Sequence, residues 1–185
     1  MGSNIQNLLN TCYLVKKSSC DSYCYSYSTE AKGTCDYSSD GIDATDYYGK
    51  MVEDVYFNVG AGDSTYKTAA NYYTQEIATH ASSTSKIGLM YASDWGYAIE
   101  GFTEVLGYDG SPQNSSDKNW LFSIGHEWTM SAFSSLNPLD AGSPGFLYGV
   151  PASLGYSIKP VLYLKSNVYV VSGTGIKVDP YRIGM

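Results

Sequence analysis

Apolar and polar residues alternate in different registers along this chain, and each register predicts an element. Ile5, Leu8, Leu9, Cys12 and Val15 recur at helical spacing over Asn4–Lys17, where Lys16 and Lys17 suit the C-terminal end of a helix dipole. Ser64–His80 repeats that spacing, with Tyr66, Ala69, Ala70, Tyr73 and Ile77 as its apolar face and Ser64 as its cap. A short helix is expected from Ala92 through Trp95 to Ala98. Extended runs fall at Val55–Val59 (after a helical turn beginning at Tyr47), Lys86–Tyr91 and Trp128–Ser131. Lys159–Leu164 reads as a buried strand, and the alternating Asn167–Val171 continues the same sheet. Gly60–Asp63 and Ser172–Gly175 are turns, and Asp140-Ala141-Gly142 reads as a hairpin turn. Ile99–Asp117 is Gly-rich and polar, a surface loop, and Asp179–Ile183 closes the chain. No repeat of solenoid length occurs. The pattern predicts an α+β domain with two helices, a small antiparallel sheet and long loops.

The stretch 119–164 organises the rest. Trp120, Leu121, Trp128 and Pro160–Leu164 read as framework. Between them lie about thirty residues of mixed aromatic, small and polar type, and a rigid frame around an irregular insert is how binding surfaces are usually built. Phe122, Ile124, Phe133, Leu136, Leu139, Phe146, Leu147 and Tyr148 are costly to leave in water together, so they divide between core and a recognition patch.

Composition sharpens this. At 185 residues the chain suits one good-sized domain, and 43% hydrophobic with 16% charged residues gives a real core. We expect residues 1–60 to form an N-terminal helix and disulfide-rich segment, and 61–185 a ligand-binding domain, together one compact unit. A net charge of −7 argues against a nucleic-acid partner, which needs a basic face. Nineteen tyrosines divide between strand positions and contact surface, since Tyr gives large, stiff contact area at small entropic cost. All four cysteines, Cys12, Cys20, Cys24 and Cys35, lie near the start, which reads as two disulfides of open pairing in an oxidising compartment. Zinc is the weaker reading, because no CxxC pair occurs. No run reaches the roughly 20 apolar residues of a membrane span, and no signal peptide is visible. Met1-Gly2-Ser3 reads as an appended start, so an export signal or anchor is expected upstream in the natural chain.

Chemistry is sparse. Of the two histidines, His80 and His126, only His126-Glu127 near Ser123 or Ser131 offers a local acid–base arrangement. No Gly-x-Ser-x-Gly elbow accompanies it, so no enzyme is expected and His126 is read as a ligand contact. Asp94, Asp109, Asp117, Asp140 and Asp179 leave calcium open, but they match no EF-hand loop, and Asp94 and Asp179 suit turns or caps. No other cofactor is expected. Ser172–Gly175 lacks the Lys and following helix of a phosphate loop. Asn114-Ser115-Ser116 would accept a glycan only in a glycosylating host.

The strings KIGLMYASDWGYA (86–98), NWLF…HEWTMS (119–131) and IKPVLYLKSNVYVVSGTGIKVDPYRI (158–183) resemble C-type-lectin-fold domains related to the formylglycine-generating enzyme. More closely, they are similar to the variable proteins of diversity-generating retroelements of bacteria and phages, over about residues 86–183. The resemblance implies a C-type-lectin-like fold with Trp120, Trp128 and Pro160 as scaffold and positions between Phe122 and Tyr156 exposed and diversified. Ligand contacts would come from Phe122, Ser123, Ile124, His126, Glu127, Phe133, Ser135, Leu136, Asn137, Phe146, Tyr148 and Tyr156. Where the family closes on Gly-Val-Arg-Pro-Val, this chain has Ser157-Ile158-Lys159-Pro160-Val161, and Lys159 would make a looser brace than arginine. The oxidative chemistry of the formylglycine-generating enzymes needs late cysteines, and none follows Cys35. The expected function is adhesion to a protein or glycan on another cell or a phage host, from a bacterial surface or a phage particle. The alternative is a pilin-like or fibre subunit, of which the N-terminal helix would be the stub.

Overall fold

The computed structural model describes residues 4–15, 43, 45–58, 60–61, 68–78, 82–98, 121, 125–134, 137–142, 146–176 and 178–185. Helix α1 (Asn4–Leu8) runs into a π-helical turn at Leu9–Tyr13, and a 3-10 turn follows at Tyr48–Lys50. Next come β1 (Val55–Asn58), β2 (Gly60–Ala61), α2 (Ala69–Ile77), β3 (Ser82–Ser85), β4 (Ile87–Leu89) and α3 (Ala92–Tyr97). The remaining strands are β5 (His126–Ala132), β6 (Pro138–Gly142), β7 (Phe146–Gly149), β8 (Ser157–Ile158), β9 (Pro160–Leu162), β10 (Tyr169–Ser172) and β11 (Arg182–Gly184). The fold is mixed α+β, with few helices and several small sheets. No helix among the described residues is long and apolar enough to cross a membrane.

The chain divides into two units, one of Tyr56–Thr84 and Gly88–Val161, the other of Ser3–Val55, Ser85–Ile87 and Leu162–Met185. The first is built on β5. Antiparallel β6 and then β7 extend the sheet from one edge of β5, while β8 and β2 pair with it in parallel at Glu127–Trp128 and at Ser131–Ala132. Leu139, Ala141 and Leu147 project from this sheet into a core with Ala69, Tyr72, Met90, Ala92 and Trp95, and Leu121, Phe133 and Val161 pack against it. The register of β5 on β6 shifts between Trp128 and Ala132. There the Thr129 hydroxyl donates to the Leu139 carbonyl at 2.8 Å, supplying a bond inside the irregularity.

Helix α2 begins at Ala69, because Thr68 is extended and its hydroxyl accepts the Asn71 amide at 3.1 Å. The expected cap, Ser64, lies outside the described residues. The buried face is Ala69, Tyr72 and Glu76, whereas Tyr73 and Ile77 are half in water. A charged residue therefore sits where an apolar stripe was expected, for a reason given below.

In the second unit, the side chain of Asn10 clamps the 85–87 segment. Its amide nitrogen donates to the Ile87 carbonyl at 2.7 Å, and its oxygen accepts the amides of Lys86 and Ile87 at 3.0 and 2.9 Å. Gln6 donates to Ser85 at 2.8 Å. Lys86 is buried, 3.4 Å from the centre of the Tyr48 ring and 2.9 Å from Glu53. Tyr163 and Lys165 exchange backbone bonds with Val52 and Lys50.

Three expectations are corrected. Asp140-Ala141-Gly142 is the end of strand β6, not a turn. The 159–164 run is broken: Lys159 separates β8 from β9, Pro160 is exposed, and Tyr163 and Leu164 are nearly half exposed. Strand β10 does not continue the large sheet among the described residues but pairs with β11 alone, with both of its faces in water. The turn at 172–175 is present, with Gly173 and Gly175 at positive φ and their loop closed on the Asp179 carbonyl.

Candidate functional site

The two faces of the β5–β6–β7 sheet differ in chemistry. Residues paired across strands share a face. Trp128, Asp140 and Tyr148 therefore form one row, and His126, Gly142 and Phe146 the next. These rows lie on the face opposite Leu139, Ala141 and Leu147. Strand β8 adds Ile158 beside Trp128 on the same face, which brings Tyr156 over His126. The Tyr156 ring stacks on the imidazole at 4.7 Å and leans on Trp128 at 4.8 Å. Tyr148 lies 6.0 Å from the imidazole, tilted.

At the centre is a carboxylate. Asp140 is fully buried, and its Oδ2 lies 2.5 Å from Nδ1 of His126, whose side chain is 38% exposed. Gly142 makes that bond possible. A Cβ there would lie 2.5 Å from Nδ1 of His126 and 3.2 Å from Oδ2 of Asp140, so only glycine lets the ring cross the strand. Burial pushes the Asp140 carboxyl above its ordinary range, and the bond from His126 and its charge pull the other way. Burial, and then the Asp140 charge, also push the Tyr148 phenol up. Oδ1 of Asp140 is buried without a hydrogen-bond partner among the described residues. The arrangement can hold one shared proton, offer ring faces to a ligand, and offer a carboxylate to a donor.

The core-side face carries two further carboxylates. Glu127 is buried and paired with Nζ of Lys159 at 2.5 Å, and the same ammonium donates to the Leu121 carbonyl. Lys159 thus ties the 121 region to β5. It does so as a point charge with separate bonds, not as a planar fork. Glu76 of α2 is buried, and its Oε1 accepts the Ser131 hydroxyl and, at 3.3 Å, the Ser93 amide. The Ser131 oxygen in turn accepts the Ala92 amide at 3.0 Å. These donors are why a glutamate can lie on the buried face of that helix, while Ala70, expected there, is exposed.

Of the residues expected to contact a ligand, His126, Tyr148 and Tyr156 come together on one face. Phe133 is half-buried, with its ring in the space a Cβ at Gly149 would take, so it belongs to the frame. Asn137 turns the chain, its carbonyl accepting the Phe133 and Ser134 amides. Phe146 lies in β7 opposite Gly142, and nothing is described of its side chain. Phe122, Ser123, Ile124, Ser135 and Leu136 lie outside the described residues, as do His80, Trp120, Asp109 and Asp117. So do Cys20, Cys24 and Cys35, while Cys12 is described only through its backbone in the π-helical turn. The stretch is not exposed throughout: Glu127, Thr129, Ser131, Leu139, Asp140, Ala141 and Leu147 are buried, because they form the middle of the sheet. Ser131 faces Glu76 and not His126, so it completes no triad with the imidazole. The residue missed as a partner was Asp140. Its spacing of fourteen from His126 carries no local signal.

Asp94 caps α3 by accepting the Tyr91 amide at 2.8 Å, and Asp179 accepts the Thr174 hydroxyl at 3.0 Å. No group of three or more His, Cys, Asp or Glu is placed to hold a metal ion among the described residues. Comparison with protein-family models, curated proteins and solved structures gives no match.

Proposed function

We propose that the chain is a ligand-binding domain of C-type-lectin-like architecture, displayed on a bacterial surface or a phage particle. Residues about 122–156 form its diversifiable contact face, and binding involves no covalent chemistry. One observation carries this reading. The half-buried rings of His126, Tyr148 and Tyr156 gather on the sheet face opposite the apolar core, braced by buried Trp128. Stiff aromatic side chains on a rigid sheet lose little entropy on binding. The partner is a protein or glycan on another cell. Replacing Tyr148 and Tyr156 by alanine should reduce adhesion to the target cell at least tenfold. Both rings are partly in water, so the pair should cost only about 1–2 kcal/mol of stability, or about 2–8 °C in Tm. Unfolding of the double variant, or unchanged adhesion, would remove the reading. Diversification is tested separately: a reverse-transcriptase gene and a near-copy of the 120–156 coding segment should lie beside this gene.

A second reading, a pilin-like or fibre subunit, is favoured by the β10–β11 ribbon. Tyr169, Val170, Val171, Ile176, Val178 and Tyr181 are all more than half exposed there. Concentration-dependent assembly of the chain would support it.

A further inference from the structure

Asp140 is incompletely satisfied. One oxygen meets His126, and the other is buried and meets no donor among the described residues. A native fold rarely leaves a buried carboxylate oxygen unpaired unless something else completes it. The neighbours limit what that can be. Asp140 stands between Trp128 and Tyr148 in one cross-strand row. Two residues along its strand, Gly142 adds no side chain, so the sheet face has a notch, which the half-exposed imidazole closes. Tyr156 overhangs that imidazole. The described titratable groups facing this point are His126 on β5, Asp140 on β6, Tyr148 on β7 and Tyr156 ahead of β8. Glu127 and Lys159 belong to the other face.

Ring faces and a carboxylate both attract cations, and a primary ammonium also brings the N–H donors that the unpaired oxygen needs. An anion would meet the Asp140 charge and a chain of net charge −7. We propose that this notch recognises a protonated primary amine on the ligand, with Asp140 as counter-ion, Trp128, Tyr148 and Tyr156 as ring walls, and His126 as the side chain that moves aside. The inference deepens the binding reading above and rests on it.

The test is an NMR titration of the full chain with n-butylammonium and, separately, with 1-butanol, following the His126 ring. A His80→Gln variant identifies which of the two histidine signals is which. The expected result is a saturable shift with the ammonium, at least tenfold weaker binding of the alcohol, and at least tenfold weaker ammonium binding in Asp140→Asn. Equal response to the alcohol, or a response that Asp140→Asn leaves unchanged, overturns the proposal, as does no saturable shift. If Asp140→Asn fails to fold, the comparison of ammonium with alcohol on the unaltered chain decides alone. Cell adhesion that depends on Tyr148 and Tyr156 while the amine has no effect would overturn this inference and leave the binding reading standing. Adhesion indifferent to those tyrosines would overturn the reading beneath it.

Discussion

At the scale of single residues, Glu76 carries the clearest consequence for stability. Burial pushes its carboxyl above the ordinary range, the bonds from Ser131 and Ser93 pull it back, and the nearby Asp94 charge adds a smaller push upward. Its second oxygen is buried without a partner among the described residues. A carboxyl raised in the fold binds its proton more tightly there than in the unfolded chain. Its contribution to stability is therefore complete in acid, below the ordinary carboxylate value, and is lost as pH rises through the folded value. Glu76→Gln keeps the shape and the oxygen that Ser131 and Ser93 use, and removes the charge. We expect the variant to be more stable than the parent at pH 8 by about 1–2 kcal/mol and to lose that advantage near pH 4.5. Thermal unfolding at the two pH values checks this, and a parent chain more stable than the variant at pH 8 would contradict it.

Among the elements, β5 does most to build the site, because its two faces carry different chemistry. One face sends His126 and Trp128 to the ring cluster, and the other sends Glu127 to Lys159. Lys159 also holds the Leu121 carbonyl, so it joins three separate pieces of chain. Removing its charge takes away the ammonium bonded to the buried Glu127. Lys159→Met should cost about 3 kcal/mol, the low end for breaking a buried pair, since Lys159 is itself partly in water. Lys159→Arg should keep most of that stability. Chemical denaturation of the two variants separates these outcomes. Strands β4 and β5 and helix α3 were legible in the sequence through Ile87, Leu89, Trp128, Met130, Ala92 and Trp95, although β5 also buries Glu127, Thr129 and Ser131. Two elements were misread for one physical reason. Glu76 on α2 and Asp140 on β6 are carboxylates inside the fold, where local pattern assigns charge to the surface. Each is tolerated because of a partner far along the chain: Ser131 for Glu76, and His126, opposite a glycine, for Asp140. The same limit hid half of the candidate site. Its rings were legible as an aromatic-rich stretch, but the carboxylate beneath them looked like part of a turn.

For the whole molecule, the second unit poses the hardest question, because it is gathered from three segments that no linker composition marks. Asn10 and Lys86 tie the first segment to the middle one. The last is tied to the first by the backbone: Val52 donates to the Tyr163 carbonyl at 2.9 Å, Lys165 to the Lys50 carbonyl at 2.9 Å, and Met51 bridges Leu164. The Lys165 ammonium adds a bond to the Gly49 carbonyl at 2.7 Å. Such pairings close loops of more than a hundred residues, which no local periodicity can announce. They also make a directed prediction. Deleting residues 162–185 removes every one of those acceptors and donors, so the Val52 amide should lose protection and exchange at least about tenfold faster. Among the described residues, the bonds and ring contacts of His126 are made within the first unit, to Asp140, Tyr148 and Tyr156. The His126 ring signal should therefore keep its folded position in the truncated chain. Hydrogen exchange at Val52 read beside that signal distinguishes the cases: fast exchange with an intact ring signal fits two separately held units, and joint loss of both would mean that the ring cluster depends on the C-terminal segment.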